Sequence, residues 1–494
     1  MSGLSAPVRS LRDDGRGFAS SVPETRSGDV VATVFRHEVG LAARSFRFWA
    51  AAFLLLALML LGAVTSAARH RRDATGQADI EQAYARRLAG ATVADAAEIS
   101  HPALKPPWRL ALVVDGGQAA TPDTLSQPLS ALEEPALRRA AEENPRLPAG
   151  EPLDWLFGIR IVLSIGAFLL CHGAVCGEQR GGTLKLLFSL PISHWKILAG
   201  KFLAAWTCLA VPFLAGAVVS LLIAASLGDL QLTGENLLRA ALGALAGLWA
   251  AAFFVLLALL VSSLTRDPSS SLGVLALLWV AAVVVVPALS VLLARRLQPL
   301  PTDAEINQQM AAARLTAGRE FAGEGERWRQ PRWAVVDGYA WEKLSARVEI
   351  RRAALQEEIR RQLLGGKMRQ AFLARTLASL SPPSLVQDIA ERLTGTGLAR
   401  DQAFLDQAWA FRAALEERVR RLDAADPASP HILFFREYMS PRPLGPDPLP
   451  RFAFREQTLG EGVSSAQLVI LAFALETLLL AASALLAFTR YNAG

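Results

Sequence analysis

Six stretches of the chain are long, apolar and almost free of charge: residues 48–68, 154–177, 201–228, 240–265, 268–294 and 465–488. A helix of about 20 apolar residues covers the roughly 30 Å hydrocarbon core of a bilayer. The runs are rich in Leu and Ala, unbroken by alternation and too long for barrel strands, so each predicts a transmembrane helix. The segments between them are polar and unequal. Residues 1–47 precede the first span, and 69–153 form a first insertion, with a helix expected over 79–88 and a strand-like stretch over 108–114, closed by Asp115-Gly116-Gly117. A short linker, 178–200, joins spans two and three. The second insertion, 295–463, reads as mostly helical from Thr302 to Leu422, with breaks expected at Gln330-Pro331, Gly365-Gly366, Pro382-Pro383 and Gly395–Gly397. Its proline-rich end, 427–450, should be extended.

Composition sharpens this picture. Of 494 residues, 52% are hydrophobic and only 19% charged, against about a quarter charged in soluble domains, which excludes a wholly soluble or disordered chain. The net charge of +6 reads as excess Lys and Arg beside a bilayer rather than as a nucleic-acid surface. Cys171, Cys176 and Cys208 all lie in apolar runs, so no disulfide framework or zinc spacing exists. The polar, Arg-containing residues before the first run are not a signal peptide.

Catalytic chemistry is missing. A phosphate-cradling loop needs G-x-x-x-x-G-K-[ST]. Gly200-Lys201 is followed by Phe202 and has Trp195 at the first glycine's place; Gly366-Lys367 is followed by Met368, with Arg361 there. The six histidines are scattered, and no catalytic or metal-ligating constellation assembles. Any energy source must therefore come from another subunit.

The linker between spans two and three is the most informative segment. A short helix over 183–190 would place Leu184, Leu187 and Phe188 on one face, and Pro191 would end it. Ser193 can cap the next helix, with Trp195 and Lys196 at interfacial depth. The result is an amphipathic element lying on the membrane surface between two spans. Arg180, Lys185, Lys196 and Lys201 on this linker outweigh the lone Arg239 between spans three and four, favouring a cytoplasmic N-terminus; Arg69, Arg71, Arg72 and Arg295-Arg296 on the other face pull the opposite way.

Glu178-x-x-x-Gly182-Thr183-Leu184, Leu190-Pro191-Ile192-Ser193 and Gly200-Lys201 resemble the E-x-x-x-G-T-L…L-P-[IV]-S…G-K pattern of ABC-2 type permeases. The likeness is sharpest to the multicopper-enzyme-maturation subset, typified by the permease of nitrous-oxide-reductase assembly, in a branch with a large external domain. It implies an all-α membrane protein with six transmembrane helices in the ABC-2 permease arrangement. The smaller mixed insertion and the larger helical one would both be extracytoplasmic, and both termini cytoplasmic, in an inner (plasma) membrane. It implies an exporter subunit in which Glu178, Gly182, Thr183, Leu184, Leu187, Phe188 and Pro191 couple to a separate ABC ATPase dimer. Residues 36–46 would be an elbow helix on the cytoplasmic leaflet, and a second permease copy or paralogue would face this subunit. No cofactor would be bound by this chain; ATP and magnesium would sit on the partner. The chain departs from the pattern at Gly173, where an acidic residue is common, and at Gln179, where a basic one is.

Single residues carry further expectations. Glu476 lies near the middle of span six, where a charge costs roughly 2.5–3.5 kcal/mol, so it should face protein or water or be protonated. Arg160 sits near an end of span two and differs from it in depth. Gly243-x-x-x-Gly247 gives span four a smooth face for helix packing. Pro212 and Pro287 should kink spans three and five. The charged faces of 344–369 read as a solvated helix surface, and Trp328, Trp333, Trp341 and Trp409 as packing residues. Two other classes fit the residues alone: an ion- or proton-coupled secondary transporter using Glu476, and a membrane-anchored assembly factor for an extracytoplasmic enzyme.

Overall fold

The computed structural model describes residues 27–118, 120–130, 133–140, 151–184, 189, 192–227, 230, 232–323, 339–445 and 449–490. Six of its helices are long and apolar enough to cross a membrane. They follow α1 (Ser27–Ala43), which ends in a turn where Trp49 Nε1 donates to the Ala43 carbonyl at 2.9 Å. The spans are α2 (Phe46–Leu88), α4 (Trp155–Arg180), α5 (His194–Leu227), α6 (Gly234–Leu264), α7 (Pro268–Leu297) and α12 (Leu459–Arg490). A helix thus occupies 27–43 rather than 36–46, and Phe46 already belongs to the first span.

The first insertion departs from its sequence reading in two ways. The helix expected over 79–88 is not separate: α2 runs unbroken for 43 residues, because Ala, Arg and Gln after Ala68 end the apolarity without ending helix propensity. Residues 108–114 are not a strand but consecutive turns, with Val113 and Val114 N–H groups both donating to the Leu110 carbonyl. Leu110, Leu112, Val113 and Val114 are buried in the same core as the spans, on several sides at once. A helix, α3 (Val93–Glu98), opens with a Thr92–Asp95 capping box. The strands are β1 (His101–Leu104), β2 (Thr124–Gln127) and β3 (Ala136–Arg138), an antiparallel sheet in which His101 pairs with Gln127 and Thr124 with Arg138.

The second insertion supplies α8 (Asp303–Glu320), α9 (Ala340–Ala378), α10 (Pro382–Thr394) and α11 (Leu398–Ala424). Thr302 and Glu305 cap α8 reciprocally. The expected break at Gly365-Gly366 does not occur; α9 passes through it, held along its length against α7 and α8. Pro382-Pro383 starts α10 and Gly395–Gly397 separates α10 from α11, as the sequence predicts. Gln330-Pro331, Trp328 and Trp333 lie outside the described residues. Trp341 is 55% exposed rather than packed, while Trp409 lies under the Arg361 guanidinium, 4.4 Å from its ring centre.

The two insertions form one polar domain. Lys105, on the first, reaches Asp401 of α11 at 2.6 Å, and burial holds its amine below the usual lysine range against the pull of that carboxylate. Arg400, itself buried, binds Glu456, the Gln118 side chain and the Pro106 carbonyl. Gln127 donates to the Ala408 carbonyl at 2.9 Å.

The domain also reaches into the span bundle. Gln370 of α9 donates to the Gln298 carbonyl, and eleven residues on, Ser381 Oγ donates to Ala282 O, level with the middle of α7. α9 thus descends along span five, turns at 379–381, and α10 climbs back between spans four and six. Leu385, Val386, Ile389, Ala390 and Leu393 of α10 join the core of the spans. Residues that read as wholly external thus complete the bundle from inside. Spans five and six present their apolar surfaces outward, with Leu277 73% and Leu468 80% exposed.

Candidate functional site

The site is built where α1, the end of span two and the start of span three meet. Span two is not one smooth helix. It carries a π-turn over Gly158–Leu163 and then loosens after Cys171, with Val175 at φ −114° before a last helical turn, Cys176–Arg180. The backbone N–H groups freed by this break do not go unmet. Those of Val175 and Cys176 donate to Ser262 Oγ of span four at 3.1 and 3.3 Å. Pro268, at the head of span five, sits where a side chain on Gly173 or Gly177 would touch it, at 3.7 and 3.9 Å. The last turn of span two is therefore loosened from the helix before it, which it still joins through the Gly177 N–H to Gly173 carbonyl bond, and it is tied as well to spans four and five.

Glu178 projects from that piece. Its Oε1 accepts from Lys201 Nζ at 2.6 Å, and the same ammonium donates to Glu38 Oε1 of α1 at 2.5 Å. The Lys201 side chain is 3% exposed and its carboxylate partners 22% and 27%, so the three form a largely buried triad joining α1, span two and span three. A buried ammonium needs such partners, since desolvation alone would cost several kcal/mol. Gly200 permits the approach. A side-chain carbon there would stand 2.7 Å from Val34 Cβ and 3.2 Å from the Val31 carbonyl, so any larger residue would push α1 off span three. A cavity of about 600 Å³ opens beside the triad, bounded by Glu38, Arg47, Cys171, His172, Glu178 and Lys201.

Beyond Glu178 the chain reverses. Gly182 adopts φ +74°, the left-handed region that glycine enters without penalty, which explains the glycine of the motif. Thr183 is exposed, and its hydroxyl donates to the Glu178 carbonyl at 3.2 Å. Leu184 is buried in the core of the spans, anchoring the start of the linker helix. Leu187, Phe188 and Pro191 lie outside the described residues. Span three begins at His194, directly after Ser193.

The other residues singled out from sequence lie elsewhere. Glu476 is half-buried in span six, and its Oε2 has no hydrogen-bond partner among the described residues. Arg160 pairs with Glu151 at 3.0 Å, not with Glu476. Gly243 and Gly247 do admit close packing, but their neighbours are this chain's own. Val113 of the first insertion lies against Gly243, and Ile159 and Phe213 against Gly247. Their smooth face is thus covered from within. Pro287 lies two residues after a π-turn over Ala281–Val285, a distortion that accommodates the missing proline N–H. Glu38, Gly200 and Lys201 were not among the residues picked out as coupling positions. A lysine at the head of an apolar run signals a buried partner, and Glu38 lies on the helix that packs there.

These features define a multi-pass integral membrane protein whose helix before the first span is bound to the start of span three. The chain belongs to the ABC-2 family of transporter proteins: residues 32–402, from α1 into α11, match the family described as ABC-2 family transporter protein. It is therefore a membrane permease component of an ABC transporter. No curated protein matches the chain.

Proposed function

We propose that the chain is the membrane-spanning subunit of an ATP-driven ABC-2 exporter, working with a separate ABC ATPase dimer and a second permease copy or paralogue. In this reading the termini and the 178–200 linker face the cytoplasm, the polar domain lies outside an inner (plasma) membrane, and ATP and magnesium are held by the partner. The maturation-permease subset, with its large external domain, is the branch the sequence motif favours.

The observation that carries the reading is the Glu38–Lys201–Glu178 triad behind the linker. A force applied to residues 183–190 would meet the loosened last turn of span two and a buried charge network that joins it to α1 and span three. ATP binding on the partner would then shift the populations of open and closed arrangements of the spans. The test is Leu187→Asp with Phe188→Asp. The double variant should lose co-purification with the ATPase and the stimulation of its hydrolysis while inserting normally; intact complex and stimulation would overturn the assignment.

A further inference from the structure

A second cavity, about 440 Å³, lies at the other end of the bundle between span five and the descending helix α9, with Arg160 of span two and the start of α10 closing it. Its volume falls within the range of small-molecule sites. Its walls combine two characters. Val283, Pro287 and Val291 recur every four residues along one face of span five, facing Ala371, Ala374 and Ala378 of α9. Arg160, Arg295, Lys367 and Arg375 also line it. No carboxylate lines the cavity.

The four cations are not equivalent. Arg160 is neutralised by Glu151 at 3.0 Å and Arg375 by Glu391 at 2.6 Å, both acids outside the lining. Arg295 and Lys367 have no ion-pair partner among the described residues. They sit where span five ends and α9 runs antiparallel to it, the Gln370–Gln298 bond fixing the register. Below them the face contributed by span five is small and apolar for about three turns, roughly 18 Å at 1.5 Å per residue, while Arg160, Gln370, Arg375, Ser384 and Gln387 contribute polar atoms to the other walls. Both π-turns of the spans border this space, through Arg160 and through Ala282 and Val283. Arg160 Nε is buried there with no hydrogen-bond partner among the described residues.

We propose that this cavity binds one anionic phospholipid, its phosphate between Arg295 and Lys367 and an acyl chain between span five and α9. A lone phosphate would leave the apolar face of span five unfilled, and a neutral lipid would make no use of the two exposed cations at its end. The lipid seals the cleft between the re-entrant helices and the lipid-facing surface of span five. The proposal does not depend on ATP coupling, and its test contains no ATPase.

The test is native mass spectrometry of the full chain released from micelles, with phosphatidylglycerol, phosphatidylcholine or inorganic phosphate added. Phosphatidylglycerol should be retained and phosphatidylcholine not. Arg295→Gln with Lys367→Gln should weaken retention roughly tenfold or more, two interfacial cations being removed. Ala374→Phe, which fills the apolar part and keeps every charge, should weaken it as well, with thermal melting confirming that each variant is folded. Arg314→Gln with Arg319→Gln, cations of α8 outside the cavity, should change nothing. Equal retention of both lipids, indifference to the Arg295/Lys367 pair, or displacement of the lipid by equimolar inorganic phosphate would each overturn the proposal.

Discussion

Replacing Lys201 by methionine removes the charge from the triad and keeps most of the side chain's bulk. The two carboxylates it separated each lie within 2.6 Å of its Nζ, so their oxygens stand at most about 5 Å apart. At an effective dielectric of about 20, two such charges repel by about 3 kcal/mol. Both acids are less than a third exposed, so solvent does not screen this away. Lifting α1 off span three relieves this repulsion and opens the neighbouring cavity. Cys171 lines that cavity and is 1% exposed in the closed arrangement. In a chain keeping only this cysteine, maleimide labelling should accelerate by up to roughly a hundredfold in Lys201→Met, the factor that 3 kcal/mol corresponds to. Adding Glu178→Gln removes the repulsion and should return labelling most of the way to the starting rate. Wild-type labelling in Lys201→Met, or no recovery in the double variant, would refute the claim that charge neutralisation holds the elbow down.

Two further outcomes follow from neighbouring geometry. Gly200→Ala forces Val34 and the Val31 backbone away and should destabilise the α1–span three contact by about 1–3 kcal/mol, seen as faster Cys171 labelling; Val34→Ala in the same chain should recover part of it. His101 is fully buried, taking the Tyr84 hydroxyl on Nδ1 at 2.8 Å and donating from Nε2 to the Ala96 carbonyl at 2.9 Å, and burial holds its pKa below the ordinary 6.5. The unfolded chain therefore binds more protons as pH falls below 6.5, and stability should drop by up to about 1.4 kcal/mol per pH unit until the folded imidazole is itself protonated. Thermal melts from pH 8 to 5 should show that slope in the natural chain and a flatter one in His101→Gln.

The six spans were legible because hydrocarbon imposes a single demand, length without charge, and each run meets it over consecutive residues. The helical start at Thr302 and the break at Gly395–Gly397 were legible for a similar reason, since the signal is local. What failed was whatever depends on distant neighbours. Arg69, Arg71 and Arg72 mark where apolarity stops, yet nothing local tells that the helix continues to Leu88. Leu110 to Val114 have the composition of a strand, but burial against Gly243 and the spans, not a sheet partner, is what selects those residues. The Gly365-Gly366 pair weakens a helix only slightly, and packing along span five outweighs it. At the candidate site, Glu178, Gly182 and Leu184 could be read from the motif, whereas Glu38 could not, because 163 positions separate it from Lys201.

The first span is also one unbroken helical rod. Forty-three residues in one helix measure about 65 Å, roughly twice the hydrocarbon thickness. One end is hinged at Arg44–Ser45, next to the elbow; the other is seated in the sheet-bearing domain, where Tyr84 touches His101. On such a rod a tilt of one degree moves the far end by about 1 Å, taking the length from the helical rise. Displacements too small to break a hydrogen bond at the elbow thus arrive on the opposite face of the membrane as shifts large enough to remake one.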